Sequence, residues 1–189
     1  SKLVVEIKRQ GRSPKKKLSI SLMPDKKVEK WIVFDSKVED SEIHKIYSKH
    51  PLLKSAKRKR RVQVAVKTDS KKLKQGLLYA YLPTQQPSQL PLHINADFYP
   101  ESSRKSIILS GHQHDQQWNK LLLKKAAKMI ADELEKLTKH INPNQLFQLI
   151  EAAHKANLND EDSPFSEFWN CIKKRVDDGA EVVFSSKGQ

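Results

Sequence analysis

DQQWNKLLLKKAAKMIADELEKLTKHI, residues 115–141, places Trp118, Leu122, Ala126, Ile130, Leu134, Leu137 and Ile141 three or four positions apart. That spacing draws one continuous apolar stripe along an α-helix and predicts a long helix from about Asp115 to His140. Asn142-Pro143 ends it. A helix with one apolar face has to lay that face on another layer, and the flanking sequence indicates which.

Upstream the pattern is that of strands. Leu3 to Lys8 alternates apolar and polar, and Gly11, Ser13 and Pro14 mark a turn. Leu18, Ile20 and Leu22 alternate again, closed by Pro24-Asp25, and Val28 to Phe34 is rich in β-formers. These residues predict a three-strand meander. Residues 39–57 have weak helical spacing through Ile43, Ile46 and Tyr47, interrupted at Pro51. Val62, Val64 and Val66 form a further alternating strand. LLYAYLP from Leu77 reads as a strand ending at Pro83, Thr84 to Gln89 as a loop, and Leu90 to Phe98 as another strand. A loop, YPESSRKS, then leads to the apolar patch Ile107–Leu109.

Downstream, Leu146, Phe147, Leu149 and Ile150 predict a second helix over about Pro143 to Ala156. Phe165, Phe168, Trp169 and Ile172 predict a third, opening near Ser163-Pro164. EVVF from Glu181 reads as an edge strand. Strands first and helices last predict an α+β fold, a largely antiparallel or mixed sheet with helices packed on one face. Residues 1–141 are expected to form the α+β domain and 142–189 a C-terminal helical extension.

The 189 residues carry a formal net charge of +14, distributed unevenly. Residues 1–75 hold 23 Lys and Arg against 8 Asp and Glu, whereas residues 76–189 hold 13 against 14. The surplus suggests a polyanion partner, and Lys15, Lys16, Lys17, Lys57, Arg58, Lys59, Arg60 and Arg61 are the candidate phosphate contacts. No aromatic residue interleaves these runs, so base stacking gains no support from them. A solvated lysine-rich surface is the plainer explanation. The single cysteine, Cys171, excludes an internal disulfide and suits a reducing compartment, the cytoplasm or the nucleus. No apolar run is long enough to span a membrane, and the N-terminal residues lack an apolar signal core. Ser1 leading straight into a strand reads as a piece of a longer protein.

Catalytic signatures are few. The five glycines are scattered rather than clustered into a phosphate loop, and HExxH, GxSxG and CxxC are missing. His112, His114 and Asp115 fall short of a four-ligand metal site and read better as a polar helix start. Cys171 reads as a packed thiol. The segment is therefore not expected to be an enzyme on its own, nor to hold a metal or cofactor.

LLYAYLPT, LPLHINADFYPESSRKSI and QWNKLLLKKAAKMIADEL together resemble the region that follows the ATPase domain in sacsin-like proteins. There a strand ends in Leu-Pro, an H-I-N-x-D-F strand follows, then a serine or asparagine with a basic pair, then a helix opening W-N-x-L-L. A looser likeness extends to the middle domains of microrchidia ATPases and of the ninety-kilodalton heat-shock chaperones, all within the GHKL superfamily. The resemblance implies a transducer-like domain that couples the nucleotide state of an N-terminal ATPase domain in the same chain to conformation. It implies ATP and magnesium for the full-length protein and a chaperone-like role. Carried over by position, Arg104 and Lys105 become the sensors of the ATP γ-phosphate, and Asn95 and Asp97 the residues that orient their loop. The competing expectation is a basic nucleic-acid-binding module acting through the clusters in residues 1–75.

Overall fold

In the computed structural model the backbone is described for residues 3–9, 16–22, 27–70, 72–180 and 182, with side chains from residue 29 onward. β1 (Leu3–Arg9), β2 (Lys16–Leu22), β3 (Lys27–Lys37) and β4 (Arg61–Lys67) are successive antiparallel neighbours. The N-terminal meander expected from the alternation is thus present. β5 (Leu77–Ala80), β6 (Leu82–Pro87) and β7 (His93–Ala96) complete a seven-stranded sheet in the order β1-β2-β3-β4-β7-β5-β6. Among the described strands only the β5–β7 pair is parallel.

Period-2 alternation separates the two faces of the sheet. Phe34, Val64, Ile94 and Leu78 stand opposite one another across β3, β4, β7 and β5, and all are buried. Ile32, Val62, Val66 and Ala96 extend that apolar face. Each of these Val, Leu, Ile and Phe side chains contributes roughly 1.5–3 kcal/mol on burial, before the cost of ordering the chain.

The helices cover this face. They are α1 (Asp40–Lys49), α2 (Pro51–Ser55), α3 (His114–Asp132), α4 (Leu134–Leu137), α5 (Pro143–Asn159) and α6 (Ser166–Asp177). The stripe read from the sequence is the inward face of α3 and α4, with Trp118, Leu122, Ala126, Ile130, Leu134 and Leu137 fully buried. The helix does not run unbroken to His140. It stops at Asp132 and resumes for one turn, with Glu133 between at φ −98°, ψ 7°. α5 opens with a capping box: the Asn142 side chain accepts from the Gln145 N–H, and the Gln145 side chain accepts from the Asn142 N–H. Leu146, Leu149, Phe165, Phe168 and Ile172 join the same core as the sheet. The division expected at residue 141 therefore does not separate two cores.

Two strand expectations need correction. LLYAYLP is not one strand. Tyr81 adopts φ 62° and turns the chain, so β5 and β6 form a hairpin and residues 84–87, expected as loop, are strand. The strand expected over 90–98 is shorter, because residues 88–92 cross from β6 to β7. The third helix starts at Ser166, not at Pro164. Of the EVVF tail, only Val182 lies within the described residues, half-buried against the core.

Candidate functional site

After β7 the chain buries Phe98 and enters a hairpin closed by the bridge between Pro100 and Ile107. Its root is clamped by Asn119, which is fully buried on α3. Asn119 Oδ1 accepts from the Tyr99 N–H, and Nδ2 donates to the carbonyls of Tyr99 and Ile108, all at 2.8 Å. Beside it, Trp118 Nε1 donates to the Asp97 carbonyl at 2.9 Å. One edge of the hairpin lies on β6: the Gln85 N–H donates to the Lys105 carbonyl, and Gln86 Oε1 accepts from the Ile107 N–H.

The tip is built to be tight. The Arg104 N–H donates to the Glu101 carbonyl at 2.8 Å, and Glu101 N–H to the Ser106 carbonyl at 2.9 Å. Arg104 itself has φ 55°, a left-handed conformation that costs a non-glycine residue about 1–2 kcal/mol. Its side chain and that of Lys105 are exposed. Among the described residues, Arg58, Arg60, Arg61 and Arg175 each pair with a carboxylate, and Arg104 does not.

Asn95 and Asp97 do not orient this loop, contrary to expectation. Asn95 Oδ1 accepts from the Tyr81 N–H at 3.2 Å, and its amide donates to Gln63. Asp97 accepts from Arg58 Nη1 at 2.7 Å and from the Lys59 N–H at 2.8 Å. The reason is geometric: Asn95 is held between Tyr81 and Gln63, and Asp97 by Arg58 and the Lys59 N–H, all of them outside residues 100–107. Asn119 holds the loop instead. An asparagine directly after Trp118, beside the apolar helical stripe, was the available signal for it.

The run from Lys57 to Arg61 is largely committed to structure. Arg58 pairs with Asp97 and stacks 3.6 Å over the Tyr99 ring. Arg60 pairs with Asp40, and Arg61 grips Asp35 through two nitrogens. That leaves Lys57 and Lys59 exposed and without an ion pair among the described residues. Lys15 lies outside the described residues, and Lys16 and Lys17 are described in backbone only, within β2.

The sheet face away from the helices carries Trp31, Gln63, Tyr79, Tyr81, His93 and Asn95 around a depression of about 400 Å³. His93 lies between Trp31 and Tyr79, at ring separations of 5.2 and 5.5 Å. Its Nδ1 accepts from the Leu77 N–H at 3.0 Å, which puts the proton of the neutral ring on Nε2. Burial holds its pKa below the ordinary 6.5. The folded chain therefore keeps the ring neutral where the unfolded chain would take up a proton. His93 costs no stability above about pH 6.5, and stability falls as pH drops below it. An NMR titration of the His93 ring is expected to give a midpoint under 6.5; a midpoint at or above that value would contradict the buried neutral ring.

His114 packs edge-on against Tyr99 at 5.7 Å, and the Asp115 carboxylate accepts from the Gln116 N–H at 2.8 Å. Burial raises the pKa of the half-buried Cys171 thiol, which suits packing rather than nucleophilic attack. None of the described helices is long and apolar enough to cross a membrane. Compared with family models, with curated proteins and with solved structures, the chain matches none.

Proposed function

We propose that this chain is the transducer-like domain of a larger GHKL-type ATPase, sacsin-like or chaperone-like in kind, and that Arg104 is its sensor of the ATP γ-phosphate. The observation that carries the reading is the state of Arg104. It stands at the tip of a braced hairpin, exposed, in a strained backbone conformation, with no carboxylate neutralising it among the described residues. A guanidinium kept free in this way retains its full charge and its planar set of donors for an oxygen-rich anion. Lys105 adds a second positive charge beside it.

ATP and its magnesium are bound by the neighbouring ATPase domain in this reading, and the present chain offers the nucleotide only Arg104 and Lys105, at its γ-phosphate. What the chain contributes is placement. Asn119 ties the hairpin root to α3, and Arg58 stacks on Tyr99 at the same root. A γ-phosphate contact at the tip would therefore bias both α3 and the β3–β4 connection. Loss of the γ-phosphate would release them, which is the requirement for a nucleotide-dependent switch.

In the protein that joins this chain to its ATPase domain, Arg104→Ala is expected to lower turnover by about 100-fold, with ATP affinity changed only a few-fold. Arg104→Lys should recover part of the loss, and Lys105→Ala should cost less than Arg104→Ala. Turnover unchanged in Arg104→Ala would overturn the assignment.

A further inference from the structure

The helix-free face of the sheet is independent of the Arg104 hairpin and combines three features. The first is its aromatic content. Trp31, His93 and Tyr79 lie in successive ring contact across β3, β7 and β5, and Tyr81 stands beside them, half-exposed. The second is a cation at each end. Lys67 Nζ lies 5.8 Å from the Trp31 ring centroid, and Lys59 Nζ lies 5.0 Å from that of Tyr81. The third is a fixed line of polar groups. Tyr81 N–H donates to Asn95, Asn95 to Gln63, and Gln63 to Asp35, so the floor between the rings is hydrogen-bonded rather than loose.

The charges on this face also point one way. Its carboxylates Glu29 and Asp35 are neutralised by Lys67 and Arg61, whereas Lys59 has no ion pair among the described residues.

From these features we infer that the open face binds a single-stranded nucleic acid, its bases stacking on Trp31 and Tyr81 and its phosphates running past Lys59 at one end and Lys67 at the other. Stacking is tolerant of sequence because every base has a flat π-face, and a positively charged border holds the backbone. A duplex conceals the faces of its bases, so it cannot use this surface. The reading differs from phosphate binding by the 57–61 run, since three of the five cations there are already paired.

The test is anisotropy of a labelled twelve-nucleotide oligothymidine titrated with the 189-residue chain at low salt. Saturable binding that weakens steeply with salt is expected, with a duplex of equal length at least tenfold weaker. Trp31→Leu and Tyr81→Ala should each weaken binding by about tenfold, the scale of one stacked base. Tyr81 is 50% exposed, so its variant keeps the test open if Trp31→Leu destabilises the sheet. Equal affinity for duplex and single strand, binding indifferent to both substitutions, or no saturable binding would each overturn the inference. The last result, combined with weaker association of the Tyr81→Ala chain with its ATPase domain, would assign the face to a protein partner instead. None of these outcomes bears on Arg104.

Discussion

Gly76→Ala is expected to prevent folding. A Cβ at this position would come within 1.8 Å of the Leu92 carbonyl oxygen, 2.2 Å of its carbon and 2.9 Å of the His93 nitrogen. All three are backbone atoms, so no rotamer change relieves the clash. The cause is topological. β6 lies on the far side of β5 from β7, so residues 88–92 must cross the start of β5 to reach their strand. They cross at Gly76 and are pinned there: the Gly76 N–H donates to the Leu90 carbonyl at 2.8 Å, and the Ser88 N–H to the Gly76 carbonyl at 3.0 Å. Ser88 Oγ, fully buried, reaches the carbonyls of Leu90 and Leu92 at 2.8 and 2.6 Å. Moving the crossing outward would break these bonds and expose Leu90 and Leu92. The expected loss exceeds about 5 kcal/mol, comparable to the whole stability of an ordinary domain. Gly179→Ala is the control, since φ there is +92° but nothing lies within 4 Å, and about 1 kcal/mol should be lost. Emission from the buried Trp118 and the urea midpoint would report both variants. A cooperative Gly76→Ala fold within 1 kcal/mol of the parent would show that the crossing has been misread.

This crossing also marks where the sequence stops being legible. The valine alternation at 62, 64 and 66 and the stripe from Trp118 to Leu137 are local periodicities, and each appears in the structure as the expected buried face. Pro51 and Asn142-Pro143 are local boundary signals, and each sits where one helix ends or begins. Residues 82–87, LPTQQP, have no such pattern. They are a strand because Leu77 and Ala80 pair with them and the 100–107 hairpin lies on their other edge, facts of tertiary placement. The same limit governs the candidate sites. Arg104 is visible in the sequence as part of a motif, but its lack of a carboxylate partner is visible only in space. Conversely, Arg58, Arg60 and Arg61 read as a free basic run, whereas the fold supplies Asp97, Asp40 and Asp35 to them. Aromatic residues do not interleave the basic runs along the chain. The sheet nonetheless brings Tyr81 under Lys59 and Trp31 beside Lys67, which puts base stacking back among the testable readings.

Asn119→Ala should separate the hairpin from the domain that carries it. The amide is fully buried and makes three bonds; removing it leaves the Tyr99 N–H and the Ile108 carbonyl without those partners, while the Tyr99 carbonyl keeps the Ile108 N–H. An orphaned buried polar group costs about 1–3 kcal/mol, and a water admitted by the smaller side chain would recover part of that, so about 3 kcal/mol is expected overall. The loss should be local. Leu122, Ile130 and the sheet valines keep their contacts, so hydrogen exchange should quicken at Tyr99 and Ile108 while Val64 stays protected. Asn119→Asp retains the acceptor for the Tyr99 N–H but loses both donors and buries a charge, so it should be no better. On the proposed role within a larger ATPase, Asn119→Ala and Arg104→Ala should be coupled in their effect on turnover rather than additive. If Asn119 acts by holding Arg104 in place, Arg104→Ala adds little to the turnover lost in Asn119→Ala, and the cycle leaves a large interaction term. Full additivity would mean that the clamp and the arginine act separately, and the hairpin could not then be the element through which the nucleotide is sensed.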